Sequence, residues 1–99
     1  MTKIKALVDE DLREFVPDYL DNRRGDLTTI RECLEAGDFD SIRRLAHRMK
    51  GSGGGYGFSD ITVLGAAMEQ AAISKDKGGV EEQAQNLEDY LNGVEIVYV

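Results

Sequence analysis

The spacing of apolar residues is the strongest constraint that this sequence places on its fold. In four segments apolar residues recur at steps of three and four, which is typical of one face of an α-helix. The four sets are Leu12, Val16, Tyr19, Leu27, Ile30 and Leu34; Ile42, Leu45, Ala46, Met49, Gly53 and Tyr56; Ile61, Leu64, Gly65, Met68, Ala71 and Ala72; and Val80, Ala84, Leu87, Leu91, Val94 and Tyr98. Four such stripes predict an all-α fold, an antiparallel four-helix bundle.

Residues suited to helix ends lie between the stripes. Pro17 favours a first-turn position, so a short additional N-terminal helix is expected to lead into the first long helix. The other signals are Gly37 as a C-cap, Asp38 or Asp40 and Ser59 as N-caps, and Gly78 with Gly79 as a turn. Residues 94–99 are rich in β-branched side chains. We expect them to be buried as the end of the last helix; a frayed or extended tail and self-association are the alternatives.

The composition indicates one globular domain spanning residues 1–99, with 41% hydrophobic and 31% charged residues. No apolar run approaches the ~20 residues of a membrane span. Residues 1–8 are basic, but their apolar stretch is too short for a signal peptide. We therefore expect a cytoplasmic monomer that does not bind a membrane. The single cysteine, Cys33, falls at an apolar helical position and is interpreted as a core residue.

The net charge of −7 argues against nucleic acid as a partner, because binding a duplex requires cations that neutralise phosphates. The charge is unevenly distributed, however. Residues 43–59 contain Arg43, Arg44, Arg48 and Lys50 and no acidic residue. A basic segment on an acidic protein indicates an acidic protein surface or a phosphate as its ligand.

The only histidine, His47, lies within this basic segment. On a helix, its side holds Arg43, Arg44, Lys50, Gly51 and Gly54, while the apolar stripe lies opposite. His47 is therefore expected to be exposed, among cations, beside a strip without side chains. Four glycines within residues 51–55 lower helix stability by roughly 3–4 kcal/mol relative to alanine. Close approach of a partner to the helix explains that loss, and Gly53, on the inner side, would let a neighbouring helix pack closely.

The sequence disfavours other interpretations of this segment. The helix could end at Lys50, with the glycines forming a flexible loop, but Gly53 and Tyr56 continue the buried stripe in register. No metal site is expected, because no second histidine or free cysteine shares the face of His47. A hydrolytic triad is disfavoured, since no acid lies on that face. The glycines fit neither common nucleotide-binding motif. The remaining interpretation is that a ring nitrogen of His47 acts as a nucleophile toward phosphorus.

His47-x-x-Lys50-Gly51-Ser52, followed by Gly57 ten residues after the histidine, resembles the signature of the histidine-containing phosphotransfer (HPt) domain. The resemblance covers nearly the whole chain. It implies a four-helix bundle whose exposed histidine takes a phosphoryl group from a phospho-aspartate on a response-regulator receiver domain and passes it to another receiver. The partners implied are such receivers or a hybrid sensor histidine kinase.

The resemblance also implies roles for individual residues. His47 would accept the phosphoryl group and Lys50 would assist electrostatically. Gly51 would clear space for the receiver, and Ser52 and Gly57 would be structural. We add Arg43, Arg44, Arg48 and Gly54 as receiver-docking residues on charge and steric grounds. No cofactor is expected on this chain, because the receiver supplies Mg²⁺; the protein would be a phosphocarrier rather than a stand-alone catalyst.

Two other functions stay open at this point. The chain could be a non-phosphorylated helical docking module that binds and blocks a receiver. The presence of both His47 and Lys50 argues against this interpretation. It could instead be a structural helical protein with an incidental histidine, which leaves the cost of the glycines unexplained.

Overall fold

The structure, a computed structural model, describes residues 4–99. Its helices are α1 (Val16–Ala36), α2 (Phe39–Gly53), α3 (Ser59–Ile73) and α4 (Lys77–Gly93). Short 3-10 helices, Glu10–Phe15 and Gly54–Tyr56, precede α1 and follow α2, and two strands, β1 (Lys5–Val8) and β2 (Glu95–Tyr98), lie at the ends. The prediction of a mostly helical fold is confirmed. Residues 1–3, the start of the predicted domain and of the basic N-terminal stretch, lie outside the described residues.

The buried faces of the helices form one core. Each helix contacts two others: α1 packs against α2 and α4, and α3 packs against α2 and α4. The predicted stripe of α2 is buried at Ile42, Leu45, Ala46, Met49 and Gly53. Cys33 is partly buried against this core. Since burying one large apolar side chain contributes roughly 1.5–3 kcal/mol, the stripes are the main source of stability.

The helix ends follow from short polar side chains and one glycine. Asp38 caps α2 by accepting hydrogen bonds from the backbone N–H of Ser41 at 3.1 Å and from its hydroxyl at 2.6 Å. Gly37 ends α1 in the left-handed conformation, with φ of 71°. Pro17 occupies the first turn of α1, as predicted.

Two predicted boundaries are wrong. Ser59 is the first residue of α3 rather than its N-cap, a position that Phe58 occupies. Gly78 and Gly79 form the first turn of α4 instead of a separate turn. The carboxylate of Asp76 accepts a hydrogen bond from the Gly79 N–H at 2.9 Å, so an acidic cap just upstream starts the helix despite its glycines.

The strand pair was not predicted, although an extended tail was an alternative for residues 94–99. The two strands pair in parallel, with Lys5 opposite Glu95 and Val8 opposite Tyr98. The prediction that residues 94–99 continue the last helix is therefore wrong, because α4 ends at Gly93. The β-branched composition of both segments favours extended backbone, and pairing satisfies hydrogen-bonding groups at both ends of the chain. Val8 is fully buried, so the pair also covers one edge of the core.

Gly57 lies where the chain turns from α2 towards α3. Its φ is +89°, in the left-handed region that residues with a Cβ adopt at a cost. A Cβ at this position would lie 2.6 Å from the Leu7 carbonyl oxygen and 3.2 Å from Val8 Cα. Gly57 therefore lets the turn pack directly on β1.

We expect Gly57→Ala to lower the free energy of unfolding by at least ~1–2 kcal/mol, because a Cβ disfavours the left-handed backbone and would also overlap β1. Gly55→Ala is the matched control, since a Cβ there meets nothing within 4 Å. It should leave stability unchanged or slightly raised. Urea unfolding measures both, and equal stability of the two variants would contradict the packing described for Gly57.

Candidate functional site

The glycine-rich run remains helical. The α-helix continues to Gly53 and a 3-10 turn follows, so the alternative in which α2 ends at Lys50 is wrong. Thr62 on α3 stabilises this end. Its hydroxyl oxygen accepts a hydrogen bond from the Gly54 N–H at 2.8 Å and donates one to the Lys50 carbonyl oxygen at 2.9 Å. A neighbouring helix thus supplies hydrogen bonds at the weak end of α2.

Gly53 is a point of close contact between the two helices. A Cβ there would lie 2.7 Å from the Thr62 backbone nitrogen and 2.8 Å from the Phe58 carbonyl oxygen. The Phe58 N–H also donates to the Gly53 carbonyl oxygen at 2.9 Å. The prediction that Gly53 lets a neighbouring helix pack closely is confirmed.

His47 projects from the middle of α2, and 64% of its side chain is exposed. Its Nδ1 lies 2.6 Å from the Oε2 of Glu69 on α3, whose side chain is only 10% exposed. Within the described residues Nε2 has no hydrogen-bond partner. A carboxylate acceptor favours the tautomer with the proton on Nδ1, which leaves the lone pair on the exposed Nε2.

Lys50 shares this carboxylate. Its Nζ donates to Glu69 Oε1 at 2.9 Å. The hydrogen bond from Lys50, followed by that from His47, lowers the pKa of the Glu69 carboxyl below its ordinary value, so Glu69 is a carboxylate near neutral pH. Both oxygens of Glu69 are engaged, one by the histidine and one by the lysine.

The sequence did not reveal Glu69: the prediction considered acids on the face of His47 on its own helix, and this acid comes from α3. The carboxylate comes from another helix, so the faces of α2 alone could not show it. One signal was available in α3. Glu69 lies beside Met68 and one turn before Ala72, on the buried side, and buried charged residues normally have a partner.

The arginines lie on the other side of His47. A groove of about 480 Å³ is lined by Thr29 of α1 and by Ser41, Arg43, Arg44, Leu45, His47 and Arg48 of α2. Asp40 pairs with Arg43 at 3.0 Å and with Arg44 at 3.3 Å. The predicted cationic face is therefore divided: Lys50 turns towards α3, and the arginines line the α1 side.

The surface next to His47 carries little side-chain bulk. Gly51, Gly54 and Gly55 are exposed. A Cβ would meet nothing within 4 Å at Gly51 or Gly55, and at Gly54 it would meet only the Thr62 hydroxyl, at 3.6 Å. Nothing within the described residues requires glycine at position 51.

Ser52 faces α1, where it joins a polar cluster. Its hydroxyl lies 3.0 Å from the Tyr19 hydroxyl and accepts a hydrogen bond from Arg23 at 3.2 Å. Arg23 also pairs with Asp26 at 2.7 Å, and the Tyr19 ring stacks on Tyr56 with centroids 4.2 Å apart. This cluster ties α1 to the glycine-rich part of α2.

The described part of the chain contains no group of three or more histidine, cysteine or acidic side chains that could hold a metal ion. Within residues 4–99 no helix combines the length and apolar character needed to cross a bilayer. The site is thus an exposed imidazole flanked by cations. One of its nitrogens contacts the carboxylate of Glu69, whose other oxygen accepts a hydrogen bond from Lys50.

Four helices with this imidazole on an exposed face define a histidine-bearing helical domain. Comparison with protein families gives its identity: the family model described as Hpt domain matches residues 10–96. The chain belongs to the Hpt-domain family, whose members take part in two-component phosphorelay phosphotransfer and interact with receiver domains. Neither the curated proteins nor the solved structures contain a match to this chain.

We expect Lys50→Ala to raise the pKa of the Glu69 carboxyl towards its ordinary value of 4.5, because the hydrogen bond from Lys50 is the largest cause of the lowered pKa. Carboxyl ¹³C shifts followed against pH measure this change. Because the pKa of Glu69 is lower in the folded state, its contacts add stability above pH ~4.5, and this stability is lost as the pH falls from there through the folded-state pKa. Lys50→Ala should therefore lose less stability on acidification than wild type. Lys77→Ala is the control, and an unchanged Glu69 titration in Lys50→Ala would contradict the contact.

Proposed function

We propose that this protein is a phosphocarrier: Nε2 of His47 accepts a phosphoryl group from a receiver-domain phospho-aspartate, and the group then passes to another receiver. The observation that carries the proposal is the different environment of the two ring nitrogens of His47. Glu69 engages Nδ1 at 2.6 Å, while Nε2 has no partner within the described residues. One nitrogen is held in place, and the other is accessible to an incoming phosphorus atom.

The transfer step exchanges one bond for another. The Nε2 lone pair attacks phosphorus, the N–P bond forms, and the P–O bond to the aspartyl group breaks. The electron pair of that bond leaves with the aspartate, which becomes a carboxylate. The proton on Nδ1 stays in place, so the phosphorylated ring is cationic. The carboxylate of Glu69 stabilises that positive charge at short range.

Cations near His47 offset the negative charge of the group in transit. Lys50 is held beside His47 by their shared carboxylate, with its Nζ 2.9 Å from Glu69 Oε1. A cation held by a fixed carboxylate is positioned before the reaction begins, which avoids reorganisation during transfer.

We expect Lys50→Ala to slow the transfer without abolishing it, because Lys50 assists the step and forms no bond to phosphorus.

The surface around His47 suits a receiver. Exposed Gly51 and Gly54 permit close approach, and Arg43, Arg44 and Arg48 offer an acidic partner a charged groove. We propose that the Mg²⁺ required for the reaction is bound by the receiver. The antiparallel arrangement of the bundle, the monomeric state and the cytoplasmic location remain predictions that accompany this proposal.

We expect His47→Gln to abolish phosphorylation and leave the fold intact. Glutamine provides an N–H that can donate to Glu69 but lacks a nucleophilic ring nitrogen, and the exposure of His47 limits any loss of packing. The assay incubates wild type and variant with a panel of phosphorylated receiver domains and measures incorporated phosphate and helical circular dichroism. Acid-labile, alkali-stable phosphate on the wild type alone is the expected result.

Two outcomes of this assay contradict the proposal. Phosphate on a folded His47→Gln variant would place the acceptor elsewhere. Binding of the wild type to receivers without any transfer would make the protein a docking module that blocks a receiver.

We expect Gly51→Leu to block transfer while raising helix stability by about 0.5–1 kcal/mol, because leucine favours helix but occupies the space that a receiver needs. Gly51→Ala is the matched control: it adds one methyl group, brings a similar gain in helix stability and should slow transfer far less. Transfer rates and urea unfolding separate the two effects. A wild-type transfer rate in Gly51→Leu would defeat the close-approach explanation.

A further inference from the structure

A second close contact between α2 and α3 lies at the level of the site. Gly65 of α3 is buried against the backbone of α2. A Cβ at Gly65 would lie 2.6 Å from the Lys50 nitrogen and 3.0 Å from the Ala46 carbonyl oxygen. These backbone atoms belong to the helical turn that carries both His47 and Lys50. Because they are backbone atoms, no side-chain rotation could relieve the overlap.

Glu69 lies one helical turn after Gly65, on the same side of α3. A glutamate side chain extends only a few bonds from its helix. The Glu69 carboxylate nevertheless contacts Nδ1 of His47 at 2.6 Å and Nζ of Lys50 at 2.9 Å. Both contacts therefore depend on the distance between the two helix axes at this level.

We propose that Gly65 is a positioning residue for phosphotransfer: its lack of a side chain brings α3 close enough to α2 for Glu69 to hold His47 and Lys50 together. This inference deepens the proposed function and rests on it for the transfer step. The geometric part, in which Gly65 sets the contact between Glu69 and His47, can be tested without a receiver.

The hydrogen bonds between the helices determine where a larger residue would act. At the Gly53 end the two helices are tied by the Phe58 N–H and by both bonds of the Thr62 hydroxyl. At the Glu69 end the interhelical hydrogen bonds are those of Glu69 itself. A Cβ at position 65 must move from 2.6 Å to at least 3.4 Å for ordinary contact. The helices should therefore open on the Glu69 side.

An opening of this size would break the contacts of Glu69. The opening is at least about 0.8 Å at Gly65 and larger at Glu69, which lies one turn further from the Gly53 end. The contacts of 2.6 and 2.9 Å then lengthen beyond about 3.4 and 3.7 Å, where they no longer act as hydrogen bonds. The imidazole would then lose its fixed tautomer and orientation. Misplacement of a reacting group by ~1 Å can slow a reaction about 100-fold.

The test compares Gly65→Ala with wild type by ¹⁵N NMR of the His47 ring and by the rate of phosphoryl transfer from a phosphorylated receiver. Wild type should hold the Nδ1–H tautomer. We expect Gly65→Ala to show mixed tautomers, a Glu69 carboxyl pKa closer to 4.5, and transfer slowed about 100-fold. Gly93→Ala is the control, because a Cβ there meets nothing within 4 Å and α4 lies outside this helix pair; it should match wild type.

Glu69→Asp provides a second variant that leaves the α2–α3 backbone contact unchanged. It withdraws the carboxylate by one methylene and should reproduce both the tautomer mixture and the slower transfer. If Gly65→Ala folds and keeps the wild-type tautomer, the inference is overturned. If Gly65→Ala does not fold, a wild-type tautomer in Glu69→Asp overturns it. A wild type that holds the Nδ1–H tautomer but takes no phosphate refutes the proposed function and leaves only the geometric role of Gly65, in setting the contact between Glu69 and His47, intact.

Discussion

The contact between α2 and α3 is the interaction on which the site depends. At Gly53 and Gly65 a glycine of one helix lies directly against backbone atoms at the other. This packing brings a carboxylate from α3 to a histidine and a lysine on α2. At a larger separation of the two helices the side chain of Glu69 would fall short of its partners.

The glycines near the site fall into two classes with different physical roles. Gly53 and Gly65 are buried, and a methyl group at either would overlap backbone atoms. Gly51 and Gly55 are exposed with open space around them, so internal packing does not require them. The buried glycines allow α2 and α3 to pack closely enough to form the site, and the exposed glycines leave the site accessible to a partner. A helix with this many glycines needs support from its neighbour, which Thr62 provides through its two hydrogen bonds.

Periodicity predicted most of the fold because burial of apolar faces is its main source of stability. Within α2 and α4 the predicted stripe positions are buried, whereas Tyr56, Val94 and Tyr98 lie beyond the ends of these helices and are half-buried. Gly37 ends α1 and Asp38 caps the start of α2, as their chemistry indicates. The terminal strands were missed because each is four residues long and gains its stability from pairing with a segment at the other end of the chain. Propensity within one segment does not report such a distant partner.

The site was predictable to the extent that it lies on one helix. The placement of His47 on an exposed face beside glycines followed from helical geometry. Glu69 did not, because its contact with His47 joins residues 22 positions apart through the packing of two helices. The same packing explains why the cations divide: Lys50 turns to the carboxylate, while the arginines remain on the α1 side, where Asp40 pairs with Arg43 and Arg44.

The central claim is that Glu69 holds Nδ1 and leaves Nε2 to accept phosphorus. The most direct measurement is the identity of the phosphorylated nitrogen, obtained from the ³¹P–¹⁵N coupling in ¹⁵N-histidine-labelled protein after reaction with a phosphorylated receiver. The account predicts coupling to Nε2, with the proton retained on Nδ1. Coupling to Nδ1 would show that Glu69 is displaced by the incoming group, and it would contradict the account.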